Sequence, residues 1–393
     1  MCPSYHATRD EQATTRGRAN ALREFLTNNE KDNKFDSEEL KSVFDLCLSC
    51  KACGSECPSN VDVATLKSEF LFQYQETHGY PLRNKLFAHN TALNKWASKI
   101  PSFSNAVFKS SSLGNLIKKF SGVAAQRSFP LVRRFNFSSY LATKEIRPIN
   151  PEKRLVLYID EFTRYLDIEV GKDAIDLLHG LGYQIQLYFG ESGRTFISKG
   201  FLKQARKLAE KNVEGLYSFT KKNIPIIGLE PSAILSFRDE YHRFHLNADK
   251  VKSLSDNSWL LEEFLSSEIS NGRITNQSFT KEAKSVKIHA HCHQKSLSNQ
   301  KVTFDMLNVP ENYYVTIINS GCCGMAGSFG YEKEHYELSM DIGALKLFPS
   351  VKKSGEDTLI AANGTSCRHQ IMDGTGVRAY HPVTILKKAL LVS

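Results

Sequence analysis

The stretch Cys47-Leu48-Ser49-Cys50-Lys51-Ala52-Cys53-Gly54-Ser55-Glu56-Cys57-Pro58 sets four thiols at a Cys-x2-Cys-x2-Cys-x3-Cys-Pro spacing. Three thiols at intervals of three along one tight loop reach successive corners of a single small cage, as a cubane 4Fe-4S cluster demands. Structural zinc prefers two separated Cys-x2-Cys pairs. Such loops sit well between helices. Ala21, Leu22 and Phe25 mark an apolar stripe in a helix over 10–28, and Ser37-Glu38-Glu39-Leu40 opens a second helix that delivers the chain to Cys47. A third resumes after Pro58, around 63–74. The sequence therefore predicts an α-helical, electron-carrying domain over 1–75.

In two-cluster ferredoxins the fourth cysteine of each run ligates the other cluster. Cys57 is then expected to face outward, and another thiol must complete the cage begun by Cys47, Cys50 and Cys53. Cys2 is the candidate, because Pro3 follows it as Pro58 follows Cys57. On this reading Cys2-Pro3 ends an earlier run whose three partners would precede Met1, and the chain begins inside a two-cluster domain. The alternative makes Cys57 the fourth ligand of a single cluster and Cys2 an incidental thiol.

A chain of 393 residues exceeds one ordinary core, so several domains are expected. It lacks a run of 18 apolar residues and the apolar core of a signal peptide, and its nine cysteines cluster as metal ligands do. These features predict a cytoplasmic protein in a reducing compartment. The net charge of +9 is uneven: residues 77–144 carry eleven Lys or Arg and no Asp or Glu. Aromatic and aliphatic residues from Phe87 and Trp96 to Phe137 are interleaved with those cations. Three readings stay open for this basic segment over 76–150: peripheral contact with the inner face of the cell membrane, docking on an acidic partner, or a solvated helical linker. No recognition motif accompanies the charge, so nucleic acid is not an expected partner.

Beyond Pro148 and Pro151 the pattern changes to short apolar strands alternating with amphipathic helices, a parallel α/β plan. Strands are predicted at 155–159, 185–189, 224–229, 286–291, 313–319 and 358–362, with helices over 199–219 and 332–347 among others. The plan occurs twice, over 151–280 and 281–393. Glu191-Ser192-Gly193 of the first copy corresponds to Cys322-Cys323-Gly324 of the second, and Pro231-Ser232-Ala233 to Thr365-Ser366-Cys367. Only the second copy can form a thiol site, from Cys292, Cys322, Cys323 and Cys367. Loops after parallel strands converge at the carboxyl edge of the sheet, so the four should meet there. Gly321 and Gly324 permit the sharp turn that lets adjacent thiols face one ligand, and a following helix N-terminus is expected to favour thiolates. His291 and His293, two apart on a continuing strand, are candidates for ligation, hydrogen bonding or simple cover.

The elements Gly321-Cys322-Cys323-Gly324-Met325-Ala326-Gly327-Ser328-Phe329-Gly330-Tyr331, His289-Ala290-His291-Cys292-His293-Gln294 and Ser366-Cys367-Arg368-His369-Gln370 resemble the cysteine-rich CCG domain. That domain occurs in FAD-linked D-2-hydroxyacid dehydrogenases (D-lactate, glycolate and D-2-hydroxyglutarate types), in anaerobic glycerol-3-phosphate dehydrogenase and in heterodisulfide reductase. Cys2-Pro3-Ser4-Tyr5 and Thr15-Arg16-Gly17-Arg18-Ala19-Asn20 resemble the ferredoxin module of the fused FAD-linked oxidases. The resemblance implies an α+β multidomain fold, an α-helical ferredoxin domain followed by two α/β CCG-type repeats with parallel strands. It also implies an electron-transfer role, from FAD on a separate or preceding module, through 4Fe-4S clusters, to a quinone or other acceptor. Gln370 stands where a full CCG domain has a final cysteine, which leaves one metal site holding a second iron-sulfur cluster or zinc. A thiol-disulfide redox enzyme acting at Cys322 and Cys323 is the alternative of a different class; no residue is assigned a catalytic role in substrate oxidation.

Overall fold

The computed structural model describes residues 2–145 and 153–391; the proline-marked boundary expected near 146–151 falls outside them. The expected α+β architecture is borne out. Helices Thr15–Asn28, Glu38–Asp45 and Val63–His78 pack around Leu22, Leu40, Phe44, Phe70 and Tyr74, and the loop 46–51 with the short helix Ala52–Glu56 lies across them. Thr14 rather than Asp10 caps the first long helix: its Oγ1 accepts from Gly17 N at 2.8 Å, and 11–13 form a separate 3-10 turn.

Two parallel four-stranded sheets follow. In the first, β1 (Arg154–Ile159), β2 (Gln184–Phe189), β3 (Ile226–Gly228) and β4 (Ser258–Leu260) lie in the order β2-β1-β3-β4. In the second, β5 (Lys284–His289), β6 (Tyr313–Ile317), β7 (Leu359–Ala362) and β8 (Ala379–Tyr380) repeat it as β6-β5-β7-β8. One core joins them, with Leu155, Leu157 and Ile159 of β1 and Val286 and Ile288 of β5 in a single cluster with Leu177, Leu178, Ile385 and Leu386.

Several boundaries differ from the sequence reading. The strand predicted over 286–291 ends at His289, and His291 becomes the cap of helix Cys292–Leu297. The helix expected over 199–219 is Leu202–Thr220, because Gly200 at φ 73° breaks the chain direction where it presses on Leu71. The helix expected over 332–347 is Tyr336–Leu345.

The basic segment is no free linker. Its helices Leu82–Ala88, Asn90–Ala97, Pro101–Lys109 and Ser111–Ser121 lead to Arg127, whose fully buried guanidinium donates to Gly330 O at 2.7 Å, Asp373 at 2.8 Å and Ser339 Oγ at 2.9 Å. Phe137 then enters the core shared by the sheets.

Candidate metal centres

Cys47 enters the cluster loop from helix Glu38–Asp45, and left-handed backbone at Ser49 (φ 51°) and Lys51 (φ 63°) coils the loop tightly. The residues Cys2, Cys47, Cys50 and Cys53 line one cavity of about 690 Å³. Backbone amides point at these sulfurs, Ala52 N at Cys50 and the N–H groups of Val63 and Ala64 at Cys53. Burial raises the Cys50 and Cys53 thiol pKa values. Burial alone would do the same at Cys2, but the Arg18 guanidinium, whose Nη1 lies 3.0 Å from its sulfur, holds Cys2 below the ordinary thiol value. Arg18 is itself fixed by Ala13 O at 2.7 Å and Ser4 Oγ at 3.0 Å.

Cys57 lies at the same cavity, but its sulfur accepts from the amides of Val61, Ser59 and Asn60 of its own turn, which lower its pKa. Inward thiols, converging amides and one cation form a donor set that fits a cubane cluster.

The four cysteines of the second repeat come together beyond the carboxyl ends of β5, β6 and β7. Cys292, Cys322, Cys323 and Cys367 form a continuous chain of thiol contacts, 292 to 322, 322 to 323 and 323 to 367. Contacts of both signs between the thiols, together with burial, leave all four pKa values above that of a free thiol. The turn rests on Gly324, at φ 95°, where an added Cβ would lie 2.1 Å from Ser339 O. Lys295 Nζ secures it from below through Ser320 O and Gly321 O, the latter at 2.9 Å. The expected helix N-terminus does not follow the turn: the next helical element is a 3-10 turn, Phe329–Tyr331.

In the first repeat the equivalent place is closed by hydrogen bonds. Ser192 donates from N and Oγ to Glu161 at 2.8 and 2.6 Å, and Ala233 is fully buried.

The two centres share a wall. Cys50 lies within electrostatic reach of Cys2 and Cys47 of the first group and of Cys292 and Cys322 of the second. His293 Nε2 lies 3.1 Å from Ser49 O in the cluster loop, while the His291 ring turns toward Glu230, 4.0 Å away, and accepts from His293 N at 3.1 Å. Neither histidine faces one ligand as a continuing strand would have required. The cluster loop is held from the other side by Lys51, buried against Asp62 (3.3 Å), Glu240 (3.1 Å) and Asp239. His289, absent from the predicted ligands, has a ring nitrogen grouped with the sulfurs of Cys323 and Cys367, all within 4.8 Å of one another. Its position at the carboxyl end of β5, just before the first thiol, was the available signal.

A helical domain carrying a cysteine-lined cavity, docked on a paired parallel α/β unit with a second group of thiols, defines an iron-sulfur electron-transfer class. Residues 1–62 match the 4Fe-4S dicluster domain. Across 98% of its length the chain is 27% identical to the D-2-hydroxyglutarate dehydrogenase of Pseudomonas putida and 28% identical to that of Escherichia coli K12, covering 41% of each. It is also 28% identical, over 85% of its length and 83% of the relative, to one subunit of the anaerobic glycerol-3-phosphate dehydrogenase of Escherichia coli K12. The expected kinship with the iron-sulfur part of FAD-linked dehydrogenases is borne out. The chain spans about two fifths of the hydroxyglutarate dehydrogenases it matches.

Proposed function

We propose that this chain is the electron-transfer portion of a flavin-dependent 2-hydroxyacid dehydrogenase, receiving electrons from reduced FAD on another module and passing them to a quinone or other acceptor. A 4Fe-4S centre held by Cys2, Cys47, Cys50 and Cys53 would supply the one-electron chemistry, with Cys57 serving a neighbouring centre. The observation that carries this reading is the shared wall: Cys50 and Ser49 join the cavity to the Cys292 and His293 helix, so the two centres are in direct protein contact. What this chain contributes is placement. Lys51 anchors the cluster loop to Asp62, Asp239 and Glu240, while Arg18 and the loop amides direct positive charge toward the sulfurs.

The hydroxyglutarate dehydrogenases and the separate glycerol-3-phosphate dehydrogenase subunit among the relatives support a role that one fold fills both within a longer chain and alone. A thiol-disulfide reaction at Cys322 and Cys323 is less favoured, since it calls for lowered thiol pKa values and burial acts the other way. Anionic lipid is the surface proposed for the basic segment, as its cations accompany outward apolar side chains.

The test is anaerobic purification with iron and acid-labile sulfide assays and electron paramagnetic resonance. About four irons per cavity and a signal on reduction are expected, both lost in Cys50→Ser. Zinc without acid-labile sulfide would overturn the cluster. Adding FAD with D-lactate or D-2-hydroxyglutarate should give no turnover, and robust turnover would refute the division of labour.

A further inference from the structure

The carboxyl end of β5 delivers a histidine into the thiol site. His289 is fully buried, its Nδ1 sits 2.8 Å from Ser320 Oγ, and its Nε2 is buried without a hydrogen-bond partner. A buried imidazole nitrogen left unpaired is destabilising, so its environment calls for a partner that protein atoms do not supply. The ligand atoms of His289, Cys323 and Cys367 lie within 4.8 Å of one another. Ligands of one zinc ion, with bonds of about 2.0–2.3 Å, stand roughly 3.5–4 Å apart, a spacing that small side-chain adjustments would reach.

We propose that Nε2 of His289 is a metal ligand of the second centre, completing a thiolate-imidazole set with Cys323 and Cys367. This rests on reading that site as a metal centre, and it deepens that reading by adding a nitrogen.

A comparison between the two repeats supports the assignment. Strand register pairs Arg154 with Gln184 and Lys284 with Tyr313, and Val156 with Ile226 and Val286 with Leu359, which makes Ile159 the first-repeat counterpart of His289. The repeat that has Ser192 and Ala233 in place of thiols also has an aliphatic residue in place of the imidazole. Gln370, one helical turn beyond Cys367, has its amide nitrogen committed to Ser339, donating to Ser339 O at 2.9 Å and lying 3.2 Å from Ser339 Oγ, while its Oε1 is buried without a hydrogen-bond partner. His289 approaches from β5 with an imidazole nitrogen, a donor better suited than an amide oxygen to a metal held by thiolates. Ser320, accepting from Nδ1–H, would fix the ring with Nε2 free for the metal.

Thiolates with imidazole suit zinc or an iron of a cluster, and two spectroscopic arms separate them. The full chain is prepared anaerobically with natural or 15N-labelled histidine and assayed for zinc, iron and sulfide. If the second centre holds zinc, zinc-edge X-ray absorption should show a mixed sulfur and nitrogen shell. If it holds iron, pulsed electron paramagnetic resonance should show a nitrogen coupling that shifts with the label. In either case His289→Ala should lose the nitrogen, while the signal that depends on Cys50 persists. Ser320→Ala should keep the nitrogen and bind metal about 10-fold more weakly. An all-sulfur shell in the unsubstituted protein, or a nitrogen coupling that survives in His289→Ala, overturns the proposal even if its variants misfold. Absence of any metal beyond that lost in Cys50→Ser would instead remove the metal-centre reading, and the proposal with it.

Discussion

Cys50 and Cys57 belong to one motif but not to one environment. The sulfur of Cys50 is buried where Cys2, Cys47 and Cys292 converge, whereas that of Cys57 is wrapped by the amides of its own turn. Cys57→Ser should therefore leave most of the cavity's iron in place, and Cys2→Ser should lose it; iron and sulfide per chain measure both. The reverse pattern would make Cys57 the fourth ligand. Spacing alone could pose this choice because the Cys-Pro ending is local information. It could not reveal Arg18, whose contact with Cys2 depends on how two helices pack, nor His289, whose chemistry depends on its strand ending at that residue. His291 and His293 were legible as residues with their role open between ligation, hydrogen bonding and cover; the turn into helix Cys292–Leu297, in place of extended chain, gives both rings hydrogen-bond partners.

Elements dock through charge as well as through apolar faces. Helix Glu38–Asp45 meets the second repeat where Asp45 lies 2.8 Å from His335 Nε2, and Glu332 lies 3.1 Å from the other ring nitrogen. Arg83 and Lys199 approach Glu332 as well, with Arg83 at 3.6 Å. Burial favours the neutral ring, but the two carboxylates outweigh it and raise the His335 pKa; Asp45, despite burial, is lowered by His335. A raised histidine pKa stabilises fully below its unfolded value, about 6.5, and that contribution is lost as pH rises through the folded value. A lowered aspartate pKa contributes above about 3.9 and is lost as pH falls through its folded value. Docking should be firmest between the two. The urea midpoint is expected to fall from pH 6 to pH 8.5, and His335→Gln to flatten that slope at a cost of about 1 kcal/mol near pH 6, since Asp45 is half exposed. An unchanged slope would remove His335 from the account. The repeat itself was legible at this scale, because β1 is a nearly continuous buried run and β5 buries Val286 and Ile288 at alternate positions, each followed by a turn into a helix. Strands β4 and β8, of three and two residues, carry no periodicity to read and are edges fixed by their neighbours.

At the scale of the molecule, several large apolar side chains of the basic segment are left exposed. Trp96, Phe103 and Phe120 are 69%, 68% and 78% exposed, on three successive helices that also carry Lys95, Lys109, Lys118 and Lys119, with Lys99 between the first two. Among the described residues no helix is long and apolar enough to cross a membrane. Composition could mark this segment as basic and aromatic, but only packing separates the side that Arg127 and Phe137 fasten to the sheets from the side left outward. The proposed contact with an anionic lipid surface would use these exposed apolar side chains and the cations among them, the cations meeting headgroups and the rings entering the acyl boundary. The full chain should bind vesicles containing anionic phospholipid, bind neutral vesicles weakly, and be released as salt rises. If each ring contributes about 1 kcal/mol on partial burial, replacing all three with serine should weaken binding roughly 100-fold. These positions lie outside the core, so iron content and the thermal midpoint should stay unchanged. Equal binding to neutral and anionic vesicles, or capture of this face by an acidic flavoprotein module in place of lipid, would refute the assignment to a membrane.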